Sequence, residues 1–62
     1  MTDEETIDAV LNELEEYWKD NPQLRLSQII TIISVEQGIG SDPFYMEDNI
    51  LLRELKFKNK HN

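Results

Sequence analysis

The absence of cysteine constrains this chain more than any residue it contains. With 62 residues and a single histidine, His61, it has no disulfide and no ligand set for zinc with which to staple a small fold. A chain of this length buries only about 60% of the surface its unfolded form exposes. Without staples, such a chain relies on closely packed helices or on a partner. The length allows one domain at most. We place that domain at 1–58 and read 59–62 as a frayed polar tail.

Charge is unevenly spread. The net charge is −7, made of −7 over residues 1–20, −3 over 21–52 and +3 over 53–62. An acidic body repels phosphate backbones and anionic lipid surfaces. Direct nucleic-acid or membrane binding is therefore not expected. The acidic start, Met1 to Glu5, is unlike a secretory leader, which begins basic. No apolar run approaches the roughly 20 residues needed to span a bilayer. The longest, Ile29 to Val35, is broken by Thr31 and Ser34. The expectation is a soluble, cytoplasmic protein.

Hydrophobic spacing predicts three helices. In the first, over 3–19, Thr2 and Glu5 match a T-x-x-E capping box. Ile7, Val10, Leu11, Leu14 and Trp18 recur at helical intervals. Asn21-Pro22 ends the helix, because the residue before proline avoids the α region. Pro22 to Leu26 reads as a short extended connector that drops Leu24 and Leu26 into the core. Trp18 is expected to pack under the turn made by Pro22.

The second helix is expected over 27–37, with Ser27 as N-cap and Gly38 in the left-handed position after it. Its Ile29, Ile30, Ile32, Ile33 and Val35 cover an arc of roughly 220°. That is wider than a surface helix needs. Asp42-Pro43 has the form of a helical N-cap and first residue. The third helix, over 47–57, has Ile50, Leu51, Leu52 and Leu55 as its apolar stripe. The fold class is all-α, a compact three-helix domain with its core at Leu11, Leu14, Trp18, Leu24, Leu26, Ile29, Ile30, Ile33, Leu51 and Leu55.

Taken together, Trp18, Pro22, Leu24, Leu26 and Gln28, then Glu36 and Gly38, then the segment Glu47 to Lys56, form a W-x3-P-x-L-x-L-x-Q, E-x-G and acidic-apolar pattern. It resembles the YihD-like family of small bacterial proteins. Asp42-Pro43-Phe44-Tyr45 looks like a variant found in small bacterial and prophage proteins of similar layout. The resemblance spans about two-thirds of the chain and implies an all-helical fold, with no activity attached.

Catalytic chemistry has no candidate residues. Adjacent acids such as Glu15 with Glu16, or Glu47 with Asp48, point about 100° apart on a helix and suit capping or solvation. Asp42, Glu47 and Asp48 lack calcium-loop spacing. Ser27, Ser34 and Ser41 have no neighbouring base. No enzyme activity, metal or cofactor is expected. A helix-turn-helix made of 27–37 and 47–57 would present Glu47 and Asp48 where a recognition helix carries Arg, Lys, Asn or Gln.

The reading left is a small acidic protein–protein interaction module: an adaptor, inhibitor or accessory factor. The alternative is a nucleic-acid-related regulator, either a helix-turn-helix-like binder or an acidic DNA mimic. Ile32 and Val35 lie at the edge of the second helix's arc furthest from Ile30. With Ile39, Phe44 and Tyr45 they form the candidate contact for an unknown protein partner or a second copy in a homodimer.

Overall fold

A computed structural model describes residues 2–40 and 42–61. Its elements are α1 (Glu4–Asp20), α2 (Leu26–Glu36), a 3-10 turn (Pro43–Tyr45) and α3 (Asp48–Lys60), with no strand among the described residues. The chain is an all-α three-helix domain.

The start of α1 differs from the expected capping box. Asp3 is the N-cap, and its carboxylate accepts from the Thr6 amide at 2.8 Å. Aspartate caps a helix at least as well as threonine. This frees the Thr2 hydroxyl to donate to the Asp48 carboxylate at the head of α3. At the other end of α1, the Asn21 amide donates to the Trp18 carbonyl at 3.0 Å, and the Asn21 side chain donates to the Tyr17 carbonyl at 2.9 Å.

α2 begins at Leu26, so Ser27 is not its N-cap. Arg25 takes that place, and its amide donates to the Gln28 side chain at 2.8 Å. Residues 21–25 form a turn, closed by Leu24 N–H donating to the Asn21 carbonyl at 3.1 Å. Leu24 packs on the core, whereas Leu26 lies on the first turn of α2 and is exposed.

α2 ends as expected on Gly38, whose φ is 77°. The Ile39 amide reaches back to the Ser34 carbonyl and the Gly38 amide to the Val35 carbonyl, both at 3.0 Å. That pair of bonds is the Schellman closure, which requires a left-handed residue. Ser34 also donates its hydroxyl to the Gly40 carbonyl at 2.7 Å, and it is fully buried. One serine thus anchors the following loop twice.

α3 runs to Lys60, three residues beyond its expected end, so Asn59 and Lys60 are helical rather than frayed. The Asn59 side-chain amide donates to the Glu13 carbonyl at 2.9 Å and to its carboxylate at 3.0 Å. Thr2 meets Asp48 and Glu13 meets Asn59, so both links join residues 46 apart in sequence. A constant offset means that α1 and α3 run parallel and in register, over about 16 Å at 1.5 Å per residue. α2 supplies the return pass.

The core lies between these helices. Tyr17, Ile29, Ile33 and Leu55 are buried, and Leu14, Leu24, Met46 and Leu51 pack around them. Tyr17 and Met46 were not among the expected core residues. Leu11, Trp18 and Leu26 were, but they are exposed. Lys58 joins all three helices. Its ammonium lies 2.7 Å from Glu36 at the end of α2 and 5.9 Å from the centre of the Tyr17 ring on α1.

Candidate functional site

Among the described residues, two groups of exposed apolar side chains stand out, apart from Leu26 and Phe57. The first contains the expected contact residues. Ile29 and Ile33 point into the core, so Ile32 and Val35, which sit off that axis on α2, are exposed. The chain leaves α2 through Ile39, half-buried, and turns at Asp42, whose carboxylate accepts from the Phe44 amide at 3.1 Å. The 3-10 turn then holds Phe44 and Tyr45 edge to face, 5.2 Å between ring centres. It packs against α2. Phe44 is 84% exposed and Tyr45 72%. The neighbours of Ile32 along its groove are Leu24, Ser27, Gln28 and Thr31, so that flank carries no charge.

The second surface was missed because three of its residues, Leu11, Leu14 and Trp18, were assigned to the core. Ile7 is 44% exposed, Leu11 57% and Trp18 37%, and with half-buried Leu14 they form one stripe along α1. Their spacing of four, three and four residues is the a/d spacing of a coiled-coil seam. At the C-terminal end, Leu11, Leu14, Trp18 and Pro22 line an open groove with Glu15 and Lys19 on its edge. At the N-terminal end, Ile7, Val10 and Leu11 line a second hollow bordered by Thr2 and Asp48.

Trp18 sits at the Pro22 turn, as expected, but is partly exposed. Its indole N–H donates to the Leu24 carbonyl at 2.8 Å. The W-x3-P-x-L pattern therefore has a local structural role: the tryptophan closes the turn between α1 and α2. Comparison with protein-family models, with curated proteins and with solved structures yields no match.

The chemistry of the surface is otherwise plain. The Asp3 carboxyl is held below its ordinary value, by the Thr6 side chain first and the Thr6 backbone amide second. It serves as a cap. Among the described residues, no three His, Asp or Glu side chains converge where a metal ion could be held, and no helix is long and apolar enough to cross a membrane. His61 stacks on exposed Phe57, with 4.1 Å between ring centres. Ser27 is exposed on α2, and Ser41 lies outside the described residues. Ser34 is committed to the loop.

Proposed function

We propose that this chain is a small acidic protein–protein interaction module, an adaptor, inhibitor or accessory factor without catalytic activity, working in the cytoplasm. The observation that carries this reading is the balance of its large apolar side chains. Four are buried, while Ile7, Leu11, Trp18, Ile32, Val35, Phe44 and Tyr45 stand exposed on two surfaces. Continuous exposed apolar surface marks interaction sites. The W-x3-P-x-L-x-L-x-Q likeness to YihD-like proteins, and the prophage association that goes with it, belong to the same proposal.

The groove beside Ile32, lined by Leu24, Ser27, Gln28 and Thr31, is the part of this surface that a second copy would meet without opposing like charges. A helix-turn-helix binder is less well supported. That motif joins its helices through three or four residues, whereas residues 37–47 separate α2 from α3 here.

Site-specific photo-crosslinking in the native host tests the reading. A photoreactive phenylalanine analogue at Phe44, Val35 or Leu11 is expected to give discrete protein adducts. The same analogue at exposed, polar Gln23 is expected to give none. No discrete adduct from any of the three apolar positions would sink the proposal.

A further inference from the structure

We infer that the α1 stripe is a docking site for one kind of partner, a basic amphipathic helix. This deepens the interaction-module reading and rests on it. The stripe is straight and regular. Ile7, Leu11, Leu14 and Trp18 succeed one another over three turns of a single helix, about 16 Å. A partner helix presenting apolar residues at the same spacing packs its knobs between them. Trp18 supplies the kind of large, half-exposed anchor on which interface energy concentrates. Its indole N–H is already satisfied by Leu24, so its apolar faces can be covered without stranding a donor.

Charge decides which helix. On one side the stripe is bordered by Asp8 and Glu15, which follow it at the next helical positions. On the other, Asp48 borders the hollow around Ile7 and Leu11. Lys19 is the one base on this edge, and it lies 3.9 Å from Glu15. Residues 1–20 contain eight acids and one base. A second copy laid on the stripe would oppose two such segments, and like charges across an interface suppress association. A helix with lysine or arginine beside its apolar seam is steered in and paired at the rim.

The test uses the full chain and three synthetic 21-residue peptides. The first has leucine at the a and d positions of each heptad and lysine at e and g. The second has glutamate in place of lysine. The third keeps the lysines and replaces the leucines with serine. The single tryptophan reports binding by fluorescence, and methyl NMR reports the site. The leucine–lysine peptide is expected to bind in the micromolar range, to shift Trp18 emission to the blue, and to move the methyl signals of Ile7, Leu11 and Leu14. Neutralising the rim in the Asp8→Asn, Glu15→Gln double variant should weaken binding about fivefold or more. Leu11→Glu, confirmed folded by circular dichroism, should abolish it. The other two peptides should bind at least tenfold more weakly.

Equal binding of all three peptides, no binding at 1 mM, or a sedimentation dimer that Leu11→Glu dissolves would each overturn the inference. Methyl shifts at Ile32 and Val35 in place of Ile7 and Leu11 would also overturn it, while leaving the interaction-module reading standing. Failure of that broader reading is scored separately, by the absence of crosslinks at Phe44, Val35 and Leu11 alike.

Discussion

The α1 stripe stands on a helix tied to α3 just before its first turn, through Thr2 with Asp48, and again at mid-helix, through Glu13 with Asn59. The α2 surface is spread over a shorter helix and a 3-10 turn, joined by a loop that Ser34 and two left-handed glycines hold in place. One surface is regular, rigid and rimmed with acid. The other is irregular, and its flank at Ile32 carries no charge. Exposed apolar area alone does not separate them. The backbone that carries each surface, and the charges beside it, set which partner each accepts.

The largest test compares neighbours on α1. Tyr17 faces the core and Trp18 faces out, because adjacent helix residues diverge by about 100°. Tyr17→Ala is expected to cost about 3–5 kcal/mol. That is comparable to the whole stability of a core this small, so the variant should be unfolded by circular dichroism at 25 °C. Trp18→Ala removes a partly exposed ring and one hydrogen bond, and should cost about 1–2 kcal/mol, read as a lower urea midpoint at unchanged slope. Equal losses would mean that Trp18 belongs to the core and that the α1 stripe is not a free surface.

Ser34 tests the other region. Ser34→Ala strands the Gly40 carbonyl and should cost about 1–2 kcal/mol. Amide exchange should speed up at Ile39 before it does at Ile7, whose amide bonds to the Asp3 carbonyl at the start of α1. Uniform acceleration would show that the two regions unfold as one unit and that the loop has no separate hold.

Ile32→Glu sharpens the contrast between partners. Because Ile32 is exposed, the variant should remain folded, with stability changed by less than about 1 kcal/mol. If a second copy occupies the α2 surface as proposed, light scattering after size exclusion should find a wild-type dimer and a monomeric variant. A monomeric wild type together with an unfolded variant would return Ile32 to the core.

The smallest effect is at Asp3. Its folded-state pKa lies below the ordinary 3.8, so its capping contribution is present above that value and fades as pH falls through the folded pKa. Carboxyl-carbon NMR titration should place its midpoint below 3.8, and Asp3→Asn should remove the transition. A midpoint at the ordinary value would mean that Thr2, not Asp3, caps the helix.

The sequence by itself determined that three helices form and where α1 and α2 stop. Periodic apolar residues, Pro22, Gly38 and Asp42-Pro43 act within a few residues of themselves, and each lies where local chemistry requires. It also pointed to Ile32 and Val35 as the edge of a wide apolar arc, and both are exposed. What it left open is the rotation of α1 about its own axis. Apolar residues at 7, 10, 11, 14, 17 and 18 offer two overlapping stripes, one ending at Trp18 and one at Tyr17, and periodicity favours neither. The choice falls to contacts with residues far along the chain. Asn59 fixes Glu13, Asp48 fixes Thr2, and Lys58 lies over the Tyr17 ring while pairing with Glu36. Those partners exist only once α3 lies parallel to α1, so a core at Tyr17 and an exposed stripe at Trp18 are decided by tertiary packing alone.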